Sequence, residues 1–140
     1  MEKIEKLKKI FIRERIDGYI IPKNDEFFSE YTPDHNDRLN FISDFSGSYG
    51  LALILKDKNY LFVDGRYTLQ ANNQSKKKFE VVTIPEKMPS DILRRRKLLI
   101  GFDPKLFTKK NLSIFFGKNN SQYKPLAKNF IDEIWKRKIK

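Results

Sequence analysis

The sequence predicts an α/β domain built on a mixed sheet of about five or six strands flanked by helices. Three observations lead there. Short apolar runs rich in β-branched and aromatic residues alternate along the chain with segments of helical apolar spacing, the pattern of α/β packing. The 140 residues suffice for one core and are too few for two comfortable ones, so residues 1–140 are read as a single domain. Hydrophobic residues make up 39%, including 12 Phe and 6 Tyr, which supplies a real core and leaves the 34% charged fraction as solvated surface.

The elements follow in order. Ile4, Leu7, Ile10 and Phe11 recur at helical spacing among charges over 2–15, an amphipathic helix that Asp17-Gly18 stops. "YIIP" (19–22) reads as a buried strand closed by proline, and "KNDEFFSEYTPD" (23–34) as a loop. A short helix covers 35–42, and the turn "SDFSGSYG" introduces "LALILKD" (51–57). That run and "NYLFVD" (59–64) form a hairpin turning around Asp57-Lys58-Asn59, and Gly65 opens a helix over 66–73. The second half repeats the pattern with strands at 79–84 and 98–103 and helices at 89–97 and 108–116. Thr108 is the expected N-cap of that last helix and Gly117 its stop. "YKPLA" (123–127) reads as an edge strand, since Pro125 has no N–H for a central ladder. The helix over 129–138 places Phe130, Ile131, Ile134 and Trp135 on one face.

The net charge of +11 raises nucleic-acid binding, because basic domains bind phosphate whatever its sequence. The charge is nevertheless spread over the first helix, Lys76–Lys78, Arg94–Lys97 and the tail Lys136–Lys140, without an aromatic-interleaved patch or a known module. A solvated basic surface is the simpler reading. With no cysteine, disulfides and thiolate zinc sites are excluded, and the composition fits a cytoplasmic protein. The N-terminus lacks the apolar core of a signal peptide, and no apolar run approaches the ~20 residues that span a bilayer, so no membrane partner is expected.

Catalytic constellations are weak. The lone His35, with Asp34 and Asp37, lacks the three or more converging ligands that a catalytic metal needs. Ser46 and Ser48 precede a strand rather than a helix, so "SGS" is no nucleophile elbow. Gly47 and Gly50 are expected to supply positive φ, with the serines bonding local backbone in the turn. "SGSYG" lacks the Gly-Lys-Ser/Thr ending of a phosphate loop. Asp64-Gly65-Arg66-Tyr67 is more informative, because it places a carboxylate and a guanidinium where a strand meets a helix. Two readings stay open: Asp64 caps the helix and pairs with a neighbour, or Arg66 projects to bind an anionic group.

Four blocks, "DGYIIPKNDEFFSEY", "DRLNFISDFSGSYG", "LFVDGRYTLQA" and "NFIDEIW", cover nearly the whole chain. In order and spacing they resemble the N-terminal region of Xaa-Pro aminopeptidases within the creatinase/prolidase family. The resemblance implies a ribonuclease-H-like α/β domain that precedes a pita-bread catalytic domain binding two divalent metals, commonly manganese. It implies that those ligands lie outside this sequence, so no catalytic, cofactor-binding or metal residue is expected in it. The chain then looks like the first domain alone, acting in subunit association and at the mouth where a proline-containing peptide enters the active site. Its implied partners are the catalytic domain of the same protein and further subunits, and Arg38, Phe45, Tyr49, Asp64, Arg66 and Tyr67 are the residues expected to face that mouth or an interface. A domain so placed is expected to show an apolar patch where its partner sits. Two residues depart from the family pattern: Asp44, usually Gly, which tolerates left-handed backbone, and Tyr49, often Ala, which adds a large ring.

Overall fold

The computed structural model describes residues 3–23, 37–47, 50–84, 86–94, 96–107, 109–117, 121–126 and 128–135. The first apolar stripe forms helix α1 (Lys3–Glu14), with Ile4, Leu7, Ile10 and Phe11 buried, and leads into strand β1 (Gly18–Pro22). Helix α2 (Arg38–Ser43) precedes the hairpin of β2 (Leu51–Leu55) and β3 (Asn59–Asp64). A 3₁₀ turn, Gly65–Tyr67, opens α3 (Thr68–Ser75), followed by β4 (Glu80–Ile84), α4 (Pro89–Leu93) and β5 (Leu99–Phe102). The chain continues through α5 (Lys109–Phe116), β6 (Gln122–Pro125) and α6 (Phe130–Ile134).

The six strands form one mixed sheet in the order β4-β3-β2-β1-β5-β6. Strand β2 runs antiparallel to β1 and β3, while β4 is parallel to β3, and β5 and β6 are parallel to β1. Five strands therefore share one direction and β2 opposes them. Because side chains alternate across a strand, the central strands feed two cores. Tyr19, Ile21, Ala52, Ile54, Leu61 and Val63 pack with α1, α2, α6 and Ala71 of α3. Ile20, Leu53, Leu55, Phe62 and Ile100 pack on the other face with Leu93 of α4 and Phe116 of α5. Strand β6 is an edge strand, as Pro125 requires.

Several boundaries differ from the sequence expectation for local reasons. The hairpin turns slightly earlier, where the Leu55 N–H donates to the Lys58 carbonyl at 2.9 Å and pairs Ile54 with Asn59. Helix α4 stops at the buried Leu93, because the run Arg94–Lys97 offers no apolar partner and its like charges repel. Helix α6 ends at Ile134, where Trp135 leaves helical geometry with ψ 103°. The expected loop at 23–34 and the Thr108 cap fall largely or wholly outside the described residues.

The turn after α2 shows two different solutions to a tight backbone. Asp44 sits in the left-handed region (φ 65°, ψ 5°) as the C-cap, its N–H donating to the Asn40 carbonyl at 2.8 Å. Glycine adopts this geometry without strain, and a short polar side chain tolerates it better than alanine does. Asp44→Ala should therefore lower stability by about 1 kcal/mol in urea titration, while Asp44→Gly should equal or slightly exceed the unmutated chain. Gly47 and Gly50 correct the expectation of positive φ, since neither adopts it. They are glycines for want of space: a Cβ on Gly47 would lie 2.8 and 2.9 Å from the two Phe45 Cε atoms, and one on Gly50 3.0 Å from Leu39 Cδ2.

Candidate functional site

The parallel strands bring the carboxyl ends of β1, β3, β4, β5 and β6 to one edge of the sheet, together with the start of β2. This edge gathers most of the residues expected to act. The Lys23 N–H, just past β1, donates to the Gly50 carbonyl at 3.1 Å, joining the two strand ends. Lys23 also forms an ion pair with Asp37, both side chains nearly buried, and Asp37 caps α2 by accepting from the Asn40 N–H at 3.0 Å.

Arg38 does not project freely. Its Nε and Nη2 donate to the two Asp132 oxygens at 2.8 and 2.9 Å, a forked pair that ties α2 to α6. Only 10% of the Arg38 side chain is exposed. Around it, Asn129 caps α6 by accepting from the N–H groups of Ile131 and Asp132, and its Nδ2 donates to Asp103 at 2.9 Å. Asp103, buried at the end of β5, also accepts from the Lys105 N–H at 2.9 Å. These groups line a crevice of about 420 Å³.

Phe45 is fully buried, and its ring packs edge-on to Tyr67 with centroids 6.2 Å apart. Polar bonds fix the same turn to α3. The Ser46 hydroxyl accepts from the side-chain amides of Gln70 and Gln74 at 3.1 and 2.9 Å, so it is held by α3 rather than by local backbone. The Ser75 hydroxyl donates to the Ser43 carbonyl at 2.6 Å.

At the end of β3, Asp64 caps the 3₁₀ turn and pairs with Arg66, as the first of the two readings expected. The Asp64 carboxylate accepts from the Arg66 N–H at 2.9 Å and from its Nε at 3.2 Å, while 76% of the Arg66 side chain remains exposed. The guanidinium lies 5.4 Å from the Tyr67 ring centroid. The Arg66 N–H foremost, then its guanidinium, hold the Asp64 carboxyl below its ordinary value of 3.8. A carboxyl lowered in the folded state stabilises fully above its unfolded value, and the effect is lost as pH falls through the folded one. Asp64→Asn should thus flatten the acid limb of the stability profile below about pH 4 and leave its neutral slope unchanged. A carbon-13 titration of Asp64 should give a midpoint below 3.8.

Tyr49, Ser48, Asp34 and His35 lie outside the described residues. Among the described residues no group of three or more His, Cys, Asp or Glu converges to hold a metal ion. Large exposed apolar side chains among them are Ile12 of α1 and Leu69 of α3. The Lys23–Asp37 pair and the Asp103–Asn129–Asp132–Arg38 network escaped sequence reasoning. Asn129 before "FIDE" is a readable N-cap signal, but nothing local connects Arg38 to a residue 94 positions away.

Comparison with known proteins decides the family. The profile described as the Creatinase/Prolidase N-terminal domain matches residues 3–125. The chain belongs to that family. It is 34% identical over 139 residues to a probable Xaa-Pro aminopeptidase P of Coprinopsis cinerea, covering 92% of this chain and 22% of that protein. It is 35% identical over 127 residues to aminopeptidase P1 of Lotus japonicus, covering 86% and 19%. The chain thus spans about a fifth of the length of these relatives.

Among solved structures, it is similar to the X-prolyl aminopeptidase from Caenorhabditis elegans, described as a cytosolic enzyme with a di-nuclear active site. That match has a TM-score of 0.84 and 30% identity, covering 95% of this chain and 25% of that one. The N-terminal domain of the cytoplasmic peptidase PepQ from Mycobacterium tuberculosis shares the fold, with a TM-score of 0.71, 23% identity, and coverage of 94% and 97%. The creatinase/prolidase-type mixed sheet expected from the four sequence blocks is the one observed.

Proposed function

We propose that residues 1–140 form a single accessory domain of a cytoplasmic, metal-dependent Xaa-Pro aminopeptidase, which removes the N-terminal residue preceding proline. The observation that carries this reading is the family membership over residues 3–125 together with 34% identity to an Xaa-Pro aminopeptidase. Two divalent metals, manganese in the expected case, would act in the catalytic domain, and no described residue of this chain is assigned to them. The domain's part is geometric: to cover the mouth where the peptide enters and to support association between subunits. Exposed Arg66, steadied by Asp64 and backed by Tyr67, is suited to meet a carboxylate of a peptide or a neighbouring domain. Tyr49 and Arg38 belong to the same reading, the latter as the post that fixes α6.

The test is peptidase activity on an Xaa-Pro-Xaa peptide with added manganese, for the chain alone and for the chain fused to the catalytic region of the Coprinopsis or Lotus relative. The fusion should cleave and the isolated chain should not. In the fusion, Arg66→Ala should raise KM about tenfold with kcat little changed, the signature of lost uniform binding. Cleavage by the isolated chain would overturn the accessory role and direct the search for ligands to Asp34, His35 and Asp37. The competing reading, a module for RNA or other polyanions, rests on the net charge of +11. It requires binding that falls steeply with salt, where an accessory domain binds polyanions only weakly.

A further inference from the structure

At the opposite edge of the sheet from Arg66, the strand register sets one row of residues side by side. Gly18 faces Leu55 and Ile100, Ile54 faces Asn59, and Tyr60 faces Glu80. Just past this row come Arg15 before β1, Lys56 and Lys58 in the hairpin turn, Lys76–Lys78 before β4, and Arg96 and Lys97 before β5. Charges scattered through the sequence are thereby gathered at the amino-terminal edge of the parallel strands. Helices α1, α3 and α4 each lead into a strand here, so their carboxyl ends, which favour cations, point the same way. Direct contacts join the segments. Lys8 Nζ of α1 donates to the Lys56 carbonyl at 3.4 Å, Asn59 Nδ2 donates to the Lys78 carbonyl at 3.1 Å, and Arg96 pairs with Asp57 at 3.3 Å.

The carboxylates of this edge are each offset by a cation of its own: Asp17 by Lys56 at 3.7 Å, Asp57 by Arg96, and Glu80 by Lys58 at 2.8 Å. The surplus positive charge is carried by exposed Arg15, Lys76, Lys77, Lys78 and Lys97. An apolar side chain stands among them. Ile12, 72% exposed, lies one helical turn beyond Lys8 on the same side of α1, toward the helix end, and its carbonyl accepts from the Arg15 N–H at 3.4 Å. Tyr60 at the start of β3 is buried, with the Lys58 ammonium 5.5 Å from its ring centroid. Among the described residues of this edge no aromatic ring is exposed, and single-stranded nucleic acid binds by stacking its bases on such rings. Lysines are flexible point charges without the directional fork of arginine, so they suit diffuse negative charge of no fixed spacing. A plane of anionic headgroups has that character, and it accepts an apolar side chain between the headgroups.

We infer that this edge lies on the surface of an anionic phospholipid membrane, its lysines at headgroup level and Ile12 reaching between the headgroups. Such contact needs no spanning segment and leaves the edge with Arg66 turned toward water. It rests on this chain's own surface and not on the aminopeptidase reading, so either can fail without the other. A short soluble polyanion covers only part of the basic edge and leaves Ile12 in water, so it binds weakly. The test is sedimentation of the chain with vesicles of about 30% phosphatidylserine in phosphatidylcholine, beside vesicles of phosphatidylcholine alone. Half of the chain should be bound to the anionic vesicles at about 1 mM lipid or less, and salt of about 0.5 M should release it. Lys76→Gln/Lys77→Gln/Lys97→Gln should weaken binding at least about tenfold. Lys87→Gln/Lys105→Gln/Lys110→Gln removes the same charge from the opposite edge and should weaken it less than about threefold. Ile12→Ser, at an exposed position, should weaken it about threefold. Absence of binding, equal binding to phosphatidylcholine, equal losses in the two triple variants, or indifference to Ile12→Ser would overturn the proposal. Tighter binding of a short RNA through the same lysines would overturn it in favour of nucleic acid.

Discussion

Truncating Phe45 to alanine should destabilise the chain by about 3 to 5 kcal/mol, the cost of deleting a buried aromatic ring and leaving its cavity. Phe45 is fully buried, and Gly47 and Gly50 are both shaped around it. Against a total stability of about 5 to 15 kcal/mol for a domain of this kind, the loss leaves a marginal fold. Thermal unfolding should move down by roughly 10 °C or more, and the urea midpoint should fall with an unchanged slope. Phe45→Leu should cost under half as much, because it keeps most of the apolar volume. Loss of the ring also removes the edge-on contact with Tyr67, and in the fused enzyme Phe45→Leu should raise KM at a temperature where the variant is fully folded. An unchanged midpoint for Phe45→Ala would mean that the turn closes over the cavity.

Asp132→Ala should cost about 2 kcal/mol, chiefly because it strands a charge. The Arg38 side chain is 10% exposed and that of Asp132 38%, so the loss lies below the roughly 3 to 5 kcal/mol of a fully buried pair. The pair joins two helices that are far apart in sequence, and α6 is only five residues long, too short to hold its shape without tertiary contacts. Phe130 and Ile131 fix its buried face, and the forked pair fixes its outer one. Replacing both charges, as in Arg38→Met with Asp132→Leu, should recover much of the loss, since neither member of the fork is then left without the other. A double-mutant cycle by urea titration reads the coupling directly. If the double variant is no more stable than Asp132→Ala alone, the fork matters for its geometry rather than for charge compensation.

Both effects show where sequence reasoning stops. The helical stripe of α1, the apolar strands β1, β2 and β3, the hairpin between β2 and β3 and the edge position of β6 were legible, because each follows from periodicity, turn chemistry or proline within a few residues. Asp44 was legible as well, since left-handed backbone after a short helix selects among few residue types. Arg66 was visible as a polar group at a strand end. Its folding back onto Asp64 was one of two possibilities that local sequence left open.

What the chain determined by itself is the succession of elements and their apolar faces, together with family membership through four ordered blocks. Tertiary structure alone decided which of the singled-out residues face solvent and which serve the core. It buried Phe45, bent Arg38 onto Asp132, bound Ser46 to Gln70 and Gln74, and made Gly47 a matter of space rather than of φ. The reason is physical. Secondary structure is chosen by interactions within a few residues, whereas the crevice at the ends of β1 and β5 arises from contacts between segments dozens of positions apart, which no local pattern encodes.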